Sequence, residues 1–426
     1  MFNGLGEPRR VVITGLGCVT PIGIGRKEFW RGLTEGRSGT SQIEGFDVSD
    51  FAIQIAAEVK DFDADAEIPV KDRRHVARTI PLALAAAREA LSDAGVDTDE
   101  LTPEERRRFG VVLGTGGGGL SFTESQYMNW YLQTGKKASV YTVPSSTHGG
   151  HSSELSMTFS LRGLSHVIST GCTSSTDALG YAAQHVALGK NDMFITGGVD
   201  APITRGIMEG FNMMTVLTKE WNHEPGRASR PFSRDRSGIV LGEGSWFFIV
   251  ESLEGARKRG ARIYAEIAGY GSTCDAYHRV RIEEDGIEPA RAISLALQDA
   301  GIAADEVQYV NLHGTATEIN DRIETKAVKI ALGERSKDVS CSATKSQIGH
   351  PQGASGAAGI ASALLTLERG VVAPTINLDQ PDADCDLDYT PNISRKRDVG
   401  VAVCNCIGFG SKNSAVVLRA LNGADV

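Results

Sequence analysis

The segment Val167-Ile168-Ser169-Thr170-Gly171-Cys172-Thr173-Ser174-Ser175-Thr176-Asp177 reads as a buried strand, a sharp turn at glycine and the polar start of a helix. A cysteine just after such a turn lies beside backbone N–H groups that have no partner within the helix. Their partial positive charge favours thiolate over thiol, which suits the residue to nucleophilic acyl transfer. A cysteine taken at random is more often a small packed hydrophobe; strand, turn and helix start together outweigh that reading. Two further segments put polar groups where strands end: Val310-Asn311-Leu312-His313-Gly314-Thr315-Ala316-Thr317 and Ala343-Thr344-Lys345-Ser346-Gln347-Ile348-Gly349-His350. Both have the strand, polar residue, glycine order of an active-site loop, which makes His313 and His350 candidates beside the alternative of satisfied structural histidines. His148, His151 and His278 stay open.

These segments need a scaffold that ends several strands close together. Short β-branched runs recur at Val11 to Thr14, Val111 to Leu113, His166 to Ser169, Phe194 to Thr196, Phe247 to Val250 and Val401 to Val403. Alanine-rich helical stretches lie between them at Val76 to Ala94, Thr176 to Leu188, Pro289 to Ala300 and Ala354 to Leu367. Alternation of this kind predicts α/β layers with largely parallel sheets. At 426 residues one small core is not expected, and a fresh start after Glu251, with Leu253 to Arg259 as a connecting helix, divides the chain into two similar halves, 1–252 and 253–426. Gly114-Thr115-Gly116-Gly117-Gly118-Gly119 is followed by neither a Lys-Ser/Thr pair nor a GxGxxG spacing, so close backbone packing near a ligand is expected there before phosphate cradling.

Taken together, these motifs resemble the β-ketoacyl synthases of the thiolase superfamily, which condense acyl chains bound to a carrier protein. The resemblance runs from Val11-Val12-Ile13-Thr14-Gly15-Leu16-Gly17 through Ala228-Ser229-Arg230-Pro231-Phe232 and His313-Gly314-Thr315-Ala316-Thr317 to Gly408-Phe409-Gly410, nearly the whole chain. It implies a thiolase fold, two similar halves in a five-layer αβαβα sandwich, with the nucleophile in the first half and both histidines in the second. It also implies that Cys172 takes the acyl group from a pantetheine thioester while His313 and His350 act on a malonyl extender. The backbone N–H groups of Cys172 and Phe409 would hold the oxyanion, and Phe409, between two glycines, resembles a mobile gate. Lys345 resembles the family's active-site lysine, paired with Glu324 for electrostatic and structural support; a plain internal salt bridge is the alternative. Thr315 and Thr317 fall where the family's hydroxyls contact pantetheine, or stabilise the turn. Gly117 falls where relatives place a larger residue at the acyl pocket, leaving room for a long or bulky chain.

Two stretches, Thr273-Cys274-Asp275-Ala276-Tyr277-His278 and Asp384-Cys385-Asp386-Leu387-Asp388-Tyr389, resemble the ketosynthase subunits of bacterial type II polyketide systems more than fatty-acid synthases, as does Gly171-Cys172-Thr173-Ser174. Ser174-Ser175-Thr176-Asp177 and Gly410-Ser411-Lys412-Asn413 depart from the Ser-Gly-Leu-Asp and Gly-Gly-Thr-Asn usual in aromatic systems, which points toward a reducing subgroup that builds polyene chains. The implied partners are an acyl carrier protein and either a homologous chain-length subunit or a second copy of this chain. No cofactor is implied, since substrates ride on the carrier's phosphopantetheine, and no metal. A silent homologous partner would lack the nucleophile, and a thiolase acting on coenzyme A would carry a second catalytic cysteine where this family has histidine.

Composition agrees with a globular enzyme: 41% hydrophobic and 23% charged residues, with a net charge of −9 that argues against nonspecific nucleic-acid binding. Local basic runs at Lys71, Arg73, Arg74 and Arg78, and at Arg106 to Arg108, offer a patch for an acidic partner or a solvated face. Seven scattered cysteines are expected to be reduced thiols. With no signal-peptide pattern and no apolar run of membrane-spanning length, a cytoplasmic protein is expected, without membrane association.

Overall fold

The computed structural model describes residues 7–133, 135 and 137–421. Ten strands carry the architecture: β1 (Val11–Thr20), β2 (Phe109–Gly114), β3 (Ser165–Ile168), β4 (Met193–Asp200), β5 (Gly244–Ser252), β6 (Ala265–Cys274), β7 (Tyr309–Asn311), β8 (Ser340–Ser342), β9 (Val401–Gly408) and β10 (Lys412–Arg419). Five helices pack on them: α1 (Thr79–Asp93), α2 (Ser174–Ala187), α3 (Ile287–Ala300), α4 (Glu318–Leu332) and α5 (Ser355–Arg369).

The strand order is β3-β2-β4-β5-β1 in the first half and β8-β7-β9-β10-β6 in the second, the same order repeated. The halves join through a short antiparallel contact of β1 with β6, Val12 opposite Glu266 and Ile13 opposite Ala265. Each half is mixed rather than largely parallel. β2 runs parallel to β3 and β4, and β7 to β8 and β9, but β5 and β10 return antiparallel. The tight reversal after Gly408 makes β9 and β10 a hairpin, which the buried, unalternating run Val401–Gly408 does not announce.

The expected five layers are present. α1 covers the outer face of the first half, α3 and α4 that of the second, and α2 and α5 form the layer between the sheets. The repeat reaches single residues. A Cβ on Gly15 of β1 would lie 2.1 Å from the Ala90 carbonyl oxygen of α1, and one on Gly269 of β6 would lie 2.2 Å from that of Ala296 in α3. Glycine on the strand facing alanine on the helix lets backbone approach backbone in both halves, which fills space that larger side chains would hold open.

Helix boundaries follow the local signals with one exception. Val76 is extended, Arg73–His75 is a separate turn, and α1 begins only at Thr79. β8, the strand expected just before Ala343, is weakly marked, because Ser340-Cys341-Ser342 has none of the β-branched character of a buried strand. Among the described residues no helix is long and apolar enough to cross a membrane.

Candidate active site

Both helices of the central layer start at the site. Cys172 lies in the 3₁₀ turn Gly171–Thr173 that leads into α2, and His350 lies just before α5, each following the third strand of its half. Gly171 adopts φ +71°, the left-handed conformation that a side chain would strain, so the turn that carries Cys172 needs glycine. Asp177 braces the turn from below. Its carboxylate accepts from the hydroxyls of Thr170 and of Thr173 (2.9 Å), which flank the nucleophile, and from Tyr270 of β6 (2.8 Å).

His313 follows β7, and the loop that carries it is stapled by α4. Glu324 accepts the N–H groups of His313 (2.6 Å) and Gly314 (2.8 Å) and the Asn405 side chain (2.7 Å), while Asp321 accepts the Thr315 N–H at 3.2 Å. The Sγ of Cys172 and one ring nitrogen from each histidine lie within 4.8 Å of one another, all buried. The two imidazoles stand nearly perpendicular, 87° apart, with centroids 5.4 Å from each other.

The hydrogen bonds behind the imidazoles determine their protonation. Lys345 Nζ lies 3.2 Å from His313 Nδ1, and His350 Nδ1 accepts the Gln352 N–H at 3.0 Å and faces the Ser355 hydroxyl at 3.2 Å. Each Nδ1 therefore acts as acceptor, and each neutral ring carries its proton on Nε2. Burial holds both histidines well below the ordinary imidazole range, and the positive charge of Lys345 lowers them further. The pair thus presents two neutral N–H donors. Burial likewise lowers Lys345 from the usual ammonium range.

Cys172 differs from expectation in one respect. Burial raises its thiol pKa, outweighing the N–H groups of Phe409 and Cys172 and the charge of Lys345, all of which favour thiolate. The helix-start field is present but a dry site opposes any charge on sulfur more strongly. The N–H groups of Phe409 and Cys172 nevertheless both favour charge on the sulfur, as a pair of backbone donors to a developing oxyanion would. A cysteine and two histidines at this spacing are also a donor set for a soft cation. The raised thiol and the neighbouring Lys345 charge both disfavour one.

Lys345 and Glu324 do not form the direct ion pair expected from the motif. Lys345 turns to His313, and Glu324 is consumed by the His313 and Gly314 N–H groups and the Asn405 side chain, three donors that compete for its oxygens. Burial pushes Glu324 up to about 7 against these hydrogen bonds. A carboxyl whose folded pKa is raised stabilises the fold most below its unfolded value, and that contribution is lost as pH rises through the folded pKa. Glu324→Gln is therefore expected to flatten the fall in Tm between about pH 4.5 and pH 7, a linkage worth about 3 kcal/mol. An unchanged Tm slope across that window in the variant would exclude this role.

Thr315 and Thr317 face each other, hydroxyl to hydroxyl at 3.0 Å, and Thr317 also caps α4 through the Asn320 N–H. Both line a cavity of about 610 Å³ that opens on Cys172, His313, His350 and Phe409. Phe409 is half-buried, its ring 6.3 Å from that of Phe211, and its loop docks through the Gly410 N–H onto the Arg279 carbonyl. Gly117 does not line this cavity. A Cβ there would meet the Gln352 side chain at 3.0 Å and Asp200 at 3.4 Å.

The basic runs are mostly engaged internally. Arg78 pairs with the buried Glu243, Arg73 with Asp65, Arg107 with Glu104 and Arg108 with Asp192, while Arg106 donates to backbone carbonyls. His151 is a buried structural histidine bonded to Thr79, and His278 accepts local N–H groups at the rim of the cavity. Sequence reading missed Asp177, Asp321, Asn405 and Cys406; the last places its sulfur 3.1 Å from the Cys172 carbonyl and 3.4 Å from His313 Nδ1. The available signal was a polar or thiol side chain in an otherwise buried strand or helix.

Residues 8–256 match the family model of the beta-ketoacyl synthase N-terminal domain, and residues 264–379 that of its C-terminal domain. A 3-oxoacyl-[acyl-carrier-protein] synthase 2 from Synechocystis is 40% identical, over 97% of this chain and 98% of the relative. The oxytetracycline polyketide putative beta-ketoacyl synthase 1 of Streptomyces rimosus is 43% identical over 97% of each. Among solved structures, a type II polyketide ketosynthase in complex with its acyl-carrier protein and bound to a hexaketide superposes with a TM-score of 0.89, at 34% identity over 98% of this chain and 100% of that one. The ishigamide ketosynthase/chain length factor gives 0.88 at 33% identity, over 97% of this chain and 100% of that one.

Proposed function

This chain belongs to the β-ketoacyl synthase family of acyltransferases, and we propose that it catalyses decarboxylative condensation of a Cys172-bound acyl chain with malonyl carrier protein in type II polyketide biosynthesis. The observation that supports this most is that a buried sulfur and two imidazoles held neutral by burial come within 4.8 Å of one another in the lining of one cavity. In the first half-reaction Cys172 attacks an acyl thioester, and its proton leaves with the departing pantetheine thiol, so no standing thiolate is needed. In the second, malonyl loses CO2 and the bond's electron pair passes to the thioester carbonyl, whose enolate oxygen meets the Nε2–H groups of His313 and His350. The enolate carbon attacks the acyl carbonyl on Cys172, and the N–H groups of Cys172 and Phe409 hold the oxyanion until sulfur departs as thiolate, which takes one proton from solvent to restore the thiol. The carrier then holds a β-ketoacyl chain two carbons longer. Phosphopantetheine would reach the site past Thr315 and Thr317, and no cofactor takes part in these steps.

An acyl carrier protein and a homologous subunit are the partners of this reading. Among the described residues β3 has one edge unpaired, with Ser165 and His166 exposed, beside a cavity of about 1440 Å³. The nearby helix Leu120–Tyr131 exposes Tyr127, Trp130 and Tyr131. An open sheet edge next to exposed aromatics fits a large, partly apolar subunit contact. The segments Thr273 to His278 and Asp384 to Tyr389 favour the polyketide branch; a fatty-acid synthase is the other reading, supported by relatives such as the one from Synechocystis.

The deciding measurement is mass analysis of carrier-bound products formed from acyl and malonyl carrier proteins, with and without a homologous partner subunit. An acyl adduct on Cys172 followed by a chain extended more than once without intervening reduction, or passed on for reduction and returned, fits the proposal. Single extensions of saturated acyl chains by the chain alone would assign it to fatty-acid synthesis, and no Cys172 adduct under competent conditions would exclude condensation.

A further inference from the structure

Asp200, at the end of β4, is buried and takes part in none of the steps above. Its carboxylate accepts four hydrogen bonds, from the Thr115 hydroxyl (2.8 Å) and the N–H groups of Gly116 (2.7 Å), Gly117 (2.9 Å) and Gly353 (2.7 Å). The first three come from the glycine-rich turn after β2. The fourth comes from the other half of the molecule, from the turn between His350 and α5. Four donors occupy the acceptor capacity of two carboxylate oxygens, so the site is built for the ionised form. Burial still raises the carboxyl above its usual range. The nest that a phosphate loop would offer to a ligand is therefore filled from within.

The turn that Asp200 grips is the one that orients His350. Gln352 donates its N–H to His350 Nδ1, and the next N–H along the chain, that of Gly353, goes to Asp200. The two turns press together as backbone on backbone: a Cβ on Gly353 would lie 2.2 Å from the Gly116 nitrogen and 2.9 Å from Asp200 Oδ2. Gln352 also faces Gly117, so the glycine turn, the carboxylate and the His350 turn form one contact with no room to shift independently.

We propose that Asp200 is a positioning residue for His350: by clamping the Gly353 N–H of one half to the glycine turn of the other, it holds the Gln352 amide on His350 Nδ1 and so aims the Nε2–H at the enolate oxygen. On this account Gly117 serves the clamp through its N–H and its missing side chain. The inference rests on the decarboxylative role of His350 proposed above.

Asparagine at this position keeps the shape but offers one acceptor oxygen and turns an NH2 toward N–H donors, so part of the clamp is released. The test follows two half-reactions separately, acylation of Cys172 by acyl carrier protein and CO2 release from malonyl carrier protein, in the wild type, Asp200→Asn, His350→Ala and the double variant. If the wild type releases no CO2, the functional reading fails, and with it the premise. If it does, Asp200→Asn is expected to slow CO2 release about 10-fold or more, several times more than it slows acylation, because sub-ångström misalignment of a donor is enough for such a loss. In the His350→Ala background the same change is expected to have almost no further effect, since a residue acting through His350 has nothing left to position. Equal loss in both half-reactions, or an undiminished effect on top of His350→Ala, overturns the proposal. Should Asp200→Asn not fold, Thr115→Val removes a single donor from the same carboxylate, and the same non-additivity with His350→Ala is expected at smaller amplitude.

Discussion

Cys172→Ala is expected to abolish chain elongation, with a loss of about 10⁴-fold or more, because no other group in the site can hold the acyl chain. Cys406 cannot replace it. Its thiol is buried behind the site, bonded to the Cys172 carbonyl, and burial raises its pKa strongly. The variant should keep a second activity. The His313 and His350 N–H groups are held by Lys345 and Gln352 and not by the sulfur, so malonyl carrier protein should still release CO2. Removing a side chain that packs between two imidazoles is a small change, and the fold should survive it. Elongation by Cys172→Ala at more than a trace of the wild-type rate, measured by mass analysis of the carrier-bound product, would remove Cys172 from the mechanism.

The complementary result is expected of the histidines. His313→Ala and His350→Ala should each lower CO2 release by about 10²- to 10³-fold, the usual scale for losing one donor to a developing oxyanion in a dry site. Acylation of Cys172 should continue, since the oxyanion donors proposed for it are backbone amides of Cys172 and Phe409, which neither change removes. The His313 change should be the more damaging. It leaves the buried Lys345 without its imidazole acceptor, at a cost of about 1–3 kcal/mol in stability, whereas His350→Ala leaves behind only a backbone N–H and a hydroxyl. Comparing the Tm of the two variants with their CO2-release rates separates this structural penalty from the chemical one. Equal acylation and decarboxylation losses in both variants would instead mean that the histidines hold the nucleophile rather than the enolate.

Local pattern was informative where chemistry depends on a turn. The strand, Gly171 and helix start around Cys172 are contiguous in sequence, so the position of the thiol at a helix start and the nearby amides could be read directly. The same holds for His313 and His350, each a few residues past a strand. Alternation of buried strands and alanine-rich helices was legible along the whole chain. Strand direction was not: β5 and β10 look like β2 and β4 in composition, since a strand buried on both faces shows no alternation that reveals its neighbours.

The amino-acid sequence by itself therefore determined which thiol and which imidazoles are candidates for the chemistry, because each lies in a polar, glycine-containing segment that follows a strand. Only the tertiary structure decided the state in which they do it. Lys345 reaches His313 across 32 positions, and Asp200 reaches Gly353 across 153. Glu324, expected to pair with Lys345, was claimed by the amides of the His313 loop. Burial, which no local pattern measures, raised the thiol that the helix start alone would have lowered. Protonation and aim are set by the nearest donors and by the loss of water, and both are fixed only when the two halves close on each other.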